Sequence, residues 1–317
     1  MQNSQITPLF KAVAVLGLFG IAGCDLLKSP VAVSADRPAA TAAPPDAPAS
    51  AASQALRAYY SSIQTELVSQ GLLRTDGGDG NAPFTDSNLA ENFVRIAAYD
   101  EFSSGPDGLT QSEKPSRIRK WVTPVRIGLR FGASVGQAQR TKDTARVAAY
   151  VVQLARATGH PISLDTTAPN FLVEIINEDE RAAIGPVASA ALDQLTAADL
   201  ANIINMPQST YCQVYTQTRG KSDTYVRAFA VIRAEHPDLL RLSCLHEEIA
   251  QGLGLANDSP RARPSIFNDN DEFALLTPQD ELMLRMLYDR RMIPGMTAEQ
   301  ARPVAVTLAT QFMGGES

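Results

Sequence analysis

Between Cys244 and Asp258 the chain reads C-L-H-E-E-I-A-Q-G-L-G-L-A-N-D, its best-spaced set of oxygen-bearing side chains. Glu247 and Gln251 stand four residues apart, one helical turn, so they share a face. Gly254 continues that row, Asn257 lies beyond the glycine, and Glu248 sits ~100° round the helix from Glu247. Leu242, Leu245, Ile249 and Leu253 form the opposite, core-facing stripe. The plainest reading is a helix showing polar groups to water and ending at a glycine. The chemical reading brings Glu247, Gln251 and Asn257 together beside Glu248, a carboxylate able to act as a general base. Two of those three donors are amides, which are poor zinc ligands; oxygen-only sets suit calcium, magnesium or manganese. Such ions take six or more oxygens, and Asp258, Asp269, Asp271 and Glu272 are the residues available to complete a shell. A metal-free version would use Glu247 and Glu248 as a carboxylate pair, with one pKa raised.

The spacing resembles that of the metzincin zinc proteases. Their pattern sets histidines at i, i+4 and i+10, a glutamate base at i+1, and a glycine at i+7 that turns the chain back. In this sequence Glu247, Gln251 and Asn257 stand at the three ligand positions, Glu248 at the base and Gly254 at the turn. Ser265-Ile266-Phe267-Asn268 looks like the loop that carries a methionine beneath the metal, with Phe267 in the methionine's place. Leu276-Thr277-Pro278-Gln279-Asp280 with Leu287-Tyr288 resembles the final metzincin helix, and Trp121-Val122-Thr123-Pro124-Val125 the start of the fold. The likeness covers roughly 118–288. A narrower likeness joins the Glu-Glu-x-x-Gln-x-Leu-Gly-Leu-x-Asn-Asp run to Ser-Ile-Phe-Asn-Asp and to Leu-Tyr-Asp with Pro-Gly-Met296. That combination is similar to the proteobacterial family known as domain of unknown function 2927, in which lipoproteins are common. It implies an α+β, zincin-like single domain with a mixed sheet and a long motif helix. It implies no activity.

Histidine-ligated zinc is rejected on the sequence. The chain contains three histidines, and the H-E-x-x-H register starting at His246 meets Ala250 where the second histidine is needed. His160 and His236 each precede a proline and are expected at helix caps or on the surface. Asn268 to Glu272 lacks the glycine and terminal glutamate of an EF-hand and reads as a solvated loop. Asp76 to Gly80 reads as a flexible turn without the lysine of a phosphate loop.

Periodicity supplies the elements that must hold the motif. Helices are expected over 54–73, 88–102 and 140–158, and a strand over 118–131. A short strand follows at 171–176, then a hairpin of 211–218 with 225–233. The motif helix starts near Pro237, and a last helix runs over 278–291.

The N-terminus carries an address. Lys11 precedes an apolar run, Ala12 to Gly23, too short to span a bilayer but suited to a signal peptide. The run closes on Ile21-Ala22-Gly23-Cys24, which resembles the bacterial lipobox and implies cleavage before Cys24 and acylation of its thiol. Several acyl chains at ~0.8 kcal/mol per buried CH₂ give stable anchoring. Asp25 favours inner-membrane retention on the enterobacterial rule. Residues 24–53 are rich in Ala, Pro and Ser and form a disordered tether, up to about 75 Å at ~3.1 Å per residue. The domain then occupies 54–317, with its core about 118–296.

Removing residues 1–23 subtracts Lys11 alone, so the net charge of −6 becomes −7. That balance excludes nucleic acid as a partner class. Cys212 and Cys244 are the two cysteines of the domain, and export favours a disulfide between them over two buried thiols. The reading is a lipid-anchored envelope protein on the periplasmic side, whose degenerate cleft is a noncatalytic module for a peptide, glycan, peptidoglycan or protein ligand. Its alternative is an atypical metal-dependent hydrolase with Glu248 as base.

Overall fold

The computed structural model describes residues 49–314 apart from 79, 106, 107, 221 and 269, with the backbone alone over 101–113. The signal segment, Cys24, Asp25, the tether to residue 48, and Asp269 lie outside the described residues. The first helix, α1 (Ala51–Ser69), begins three residues before the expected boundary because the Ser50 hydroxyl accepts from Ser53 N–H and caps it. Next come α2 (Asp86–Ala97) and a two-stranded sheet of β1 (Tyr99–Gly105) and β2 (Gly108–Pro115). The helix expected to reach residue 102 therefore stops early. The strand expected over 118–131 is two pieces, β3 (Lys120–Trp121) and β4 (Val125–Phe131), separated at Pro124, which lacks an N–H for the ladder.

The expected long helix is α3 (Gln137–Thr158), ended by Gly159 at φ 63°. β5 (Ile162–Leu164) and β6 (Phe171–Ile176) follow, then three short helices, α4 (Glu178–Arg181), α5 (Gly185–Ala191) and α6 (Ala197–Ile204). The hairpin forms as expected from β7 (Cys212–Thr218) and β8 (Thr224–Arg233), and leads into the motif helix α7 (Asp238–Gln251). α8 (Pro278–Tyr288) is not the last helix. α9 (Ala298–Phe312) follows it and packs along α2.

The fold is α+β with a mostly parallel sheet in the order β3-β8-β6-β4-β5. β7 runs antiparallel to β8 and forms one border of the sheet. Register decides which side chains share a face. Ile127, Phe171 and Ala228 align, as do Leu129, Val173 and Ala230; these rows enter the main core with residues of α2, α3, α7, α8 and α9. The alternate row, Leu172 beside Phe229, joins Tyr215 and Val231 in a second core under α5 and α6. A third cluster packs Tyr60 of α1 against Leu240 of α7. Among the described residues, no helix is long and apolar enough to cross a membrane.

One buried acid on this sheet makes stability depend on pH. Glu174 of β6 is 3% exposed, and its Oε1 lies 3.2 Å from Nε of Arg130. Burial raises its pKa from 4.5 to about 7, against the pull of Arg130. Between those values the folded chain holds more proton than the unfolded one, so stability falls as pH rises through that window and stays lower above it. Glu174→Gln should match the parent near pH 4 and exceed it by ~1–3 kcal/mol near pH 8 in urea unfolding. A variant weaker than the parent at the higher pH would contradict this.

Candidate functional site

The site is organised by α7, which is fixed at its start, middle and end. Pro237 at the N-cap has no side-chain acceptor to offer, so Gln64 of α1 takes that role: its Oε1 accepts from Leu239 and Leu240 N–H at 3.1 and 3.0 Å. In the middle, Arg241 meets Asp143 of α3 through two bonds of 2.7 and 3.1 Å, with both side chains at 3% exposure or less. Cys244 is disulfide-bonded to Cys212 at the start of β7, as expected. This bond joins the helix to the sheet border and closes a segment 32 residues long. Cys212→Ser with Cys244→Ser should cost ~2–4 kcal/mol in chemical denaturation; a change below about 0.5 kcal/mol would mean the bond constrains nothing.

The histidines support this frame. His246 lies flat against Tyr150 with ring centroids 3.8 Å apart, and its Nδ1 accepts from Leu276 N–H at 3.1 Å. Burial pushes its pKa down to about 3, which keeps the ring neutral and able to accept. His160 meets the expectation of a helix-end position: it follows Gly159, and its Nε2 lies 2.9 Å from the carbonyl of Thr123. His236 corrects it. The ring is 2% exposed, packed edge-on against Tyr60 and Tyr211, because α1 covers it.

Two glycines end α7. Trp121 Nε1 donates to Gly252 O at 2.9 Å, and a Cβ on Gly252 would meet the Phe171 ring at 2.4 Å. Gly254 has φ 124°, and a Cβ there would lie 2.2 Å from the Arg119 carbonyl oxygen. Only glycine lets the chain bend so closely over the start of β3. The bend directs residues 255–258 back alongside the helix.

The following turn is held by a buried acid. Asp280, at the N-terminus of α8, accepts from the Ser265 hydroxyl, Ile266 N–H and both N–H and hydroxyl of Thr277. Burial raises its pKa to about 6 despite those bonds. Phe267 is fully buried, and Asn268 donates to Ala262 O at 2.7 Å. The loop expected to be solvated is held at Asn268, while Asn270 is exposed and Asp271 and Glu272 are half-buried. Glu272 receives Arg74 at 2.8 Å and Arg263 at 2.7 and 2.9 Å, so its carboxylate is already committed to two guanidinium groups. Asp76 of the expected flexible turn also binds Arg74, at 2.8 Å.

These elements enclose a cleft of about 920 Å³. One wall is β7, another is α7 with Glu247, Glu248 and Gln251, and the bend adds Asp258. Gln251 Nε2 donates to Asp258 Oδ1 at 3.2 Å. Asn257 is placed elsewhere: it is 1% exposed, its Nδ2 donates to Arg95 O at 3.0 Å, and it does not line the cleft. Glu247, Glu248 and Gln251 thus share the hollow as the spacing predicts, and Asp258 replaces Asn257 in it. Tyr215 and Gln217 of β7 also line the cleft, and sequence reasoning missed both. The Tyr215 hydroxyl donates to Gln213 Oε1 at 3.2 Å, and burial raises its pKa. The polar alternation of Gln213 and Gln217 around Tyr215 was the available sign of a border strand.

Zinc, the metal implied by the metzincin likeness, does not fit these groups. Among the described residues no three His, Cys, Asp or Glu side chains gather closely enough to hold an ion. The amides at the second and third ligand positions have their nitrogens bonded to Asp258 and to Arg95.

The family model described as "Protein of unknown function (DUF2927)" matches residues 86–307, from the start of α2 into α9. No curated protein and no solved structure matches the chain.

Proposed function

The chain belongs to the DUF2927 family, and from that premise we propose that its domain is a zincin-like scaffold used for binding. The ligand is an extended peptide segment of an envelope partner, laid in the cleft between β7 and α7. The observation that carries this reading is the cleft's border. β7 pairs with β8 on one side only, and among the described residues no other strand pairs with its cleft side. A border strand presents backbone N–H and C=O groups at strand spacing, and an extended peptide can pair with them while its side chains enter the hollow. Support for the zincin-like ancestry comes from the bend at Gly254, the buried Phe267 turn and α8 behind it. The lipobox at Cys24 and the tether complete the proposal: the domain is held on the periplasmic side of the membrane, with inner-membrane retention favoured by Asp25.

The hydrolase alternative needs a ligand set, and Asn257 and Glu272 have other commitments. Glu248 remains on the cleft wall, as a group that shapes the hollow. Selection from a random dodecapeptide library on the full-length, detergent-solubilised protein tests the binding reading. Enriched peptides should bind at least about tenfold more weakly to Gln251→Ala. Peptides that ignore this substitution, or hydrolysis of the library that requires added metal, would overturn it.

A further inference from the structure

We infer that α1 is a hinged clasp: it undocks as one body about a joint at Gly71, and while docked it fixes the start of α7, a wall of the cleft. The inference stands whether or not the cleft takes a peptide. Little burial holds this helix. Of its nineteen residues, Ser53 and Tyr60 alone are buried. Tyr60 shares a small cluster with Leu73, Leu240 and Ala274, apart from the main core. An element with few buried apolar contacts opens locally at a lower free energy than the core beside it.

Hydrogen bonds fasten α1 instead, and they are spread along its length. Ser50 N–H donates to Asp179 at 2.9 Å, the Ser53 hydroxyl to Glu235 at 2.8 Å, and the Tyr60 hydroxyl to Gln208 O at 2.8 Å. Towards the other end, Gln64 accepts from Leu239 and Leu240 N–H of α7. Because one helix carries them all, its departure breaks the set together. The joint lies just past the helix. Gly71 is exposed with φ 78°, and a Cβ there would meet nothing within 4 Å, so the chain has room to rotate. Beyond it the chain is fixed: Leu73 and Arg74 N–H donate to Asp271 O and Glu272 O, each at 2.8 Å. The Tyr60 ring also meets Tyr211, which lines the cleft, with centroids 5.8 Å apart. Docking of α1 therefore reaches the cleft at α7 and at Tyr211. A load on the chain ahead of Ser50 acts on both through this helix.

Native-state amide exchange in increasing urea, on the full-length, detergent-solubilised protein, tests this. Leu239 and Leu240 N–H precede the hydrogen-bond ladder of α7, so their protection comes from Gln64. They should share the protection of the mid-α1 amides, at least about a hundredfold below that of β6 and with a shallower urea dependence. Ser53→Ala deletes a hydroxyl at the opposite end of α1 from Gln64, and Tyr60→Phe deletes the one that bonds Gln208. Each should speed exchange in α1 and at Leu239 and Leu240 by one common factor of about ten. Acceleration confined to the start of α1 in Ser53→Ala, with Leu239 and Leu240 unchanged, would overturn the clasp, because the helix would then fray piecemeal. Amides of α1 as protected as those of β6, with the same urea slope, would also overturn it. The helix would then leave only when the whole domain unfolds.

Discussion

Gly254→Ala should destabilise the protein by ~3–5 kcal/mol, the largest effect of any single methyl group at the site. Two costs add. The backbone at φ 124° lies where a side chain is strained whatever space it has. The added Cβ would also stand 2.2 Å from the Arg119 carbonyl oxygen and 3.0 Å from Leu287 Cδ2. The carbonyl belongs to the backbone entering β3, so it cannot swing aside as a side-chain tip could. Gly252→Ala provides the contrast. Its φ is −64°, and its obstacle is the Phe171 ring at 2.4 Å, so overpacking alone should cost ~1–3 kcal/mol. Urea unfolding of both variants measures the difference. If Gly254→Ala lost less than Gly252→Ala, the bend would not be the constraint described here.

Asp143→Asn should cost ~2–4 kcal/mol, because it takes the buried carboxylate from the Arg241 guanidinium and leaves it the half-exposed Asp238. Arg241 is held by two bonds to Asp143, by Asp238 at 2.8 Å and by the His236 carbonyl, so its side chain cannot leave for solvent without disturbing the start of α7. Asp143→Leu with Arg241→Met removes both charges and should recover a large part of the loss. A double variant as unstable as Asp143→Asn would show that the pair stabilises by more than mutual neutralisation. The consequence for function is geometric: this pair, Gln64 and the disulfide together set how α7 faces β7.

The scaffold of the cleft was legible because its elements are long and periodic. Leu245 and Ile249 mark the core face of α7 at helical spacing, buried Leu253 continues it just past the helix, and the Cys212–Cys244 pairing followed from the expectation of export and from count. Leu242 is only half-buried, so the stripe is one residue shorter than expected. What stayed illegible depends on tertiary neighbours. α4 to α6 are too short to show a period, and Pro303 inside α9 masks a helix whose stability comes from packing along α2. His236 is buried because Tyr60 of α1, distant in sequence, covers it together with Tyr211. The substitution of Asp258 for Asn257 has the same origin. Adjacent residues past a glycine bend point in different directions, and the Arg95 carbonyl, supplied by α2, decides which of the two turns inward.

The border strand is where the account can be tested most directly. Amide hydrogen exchange should be followed across β7, Cys212–Thr218, on the full-length protein with and without the tightest dodecapeptide from the library. Alternate β7 amides should slow by at least about tenfold on binding, with protection extending to the end of α7 near Gln251. Tight binding that leaves the β7 amides exchanging as before would contradict pairing at this border.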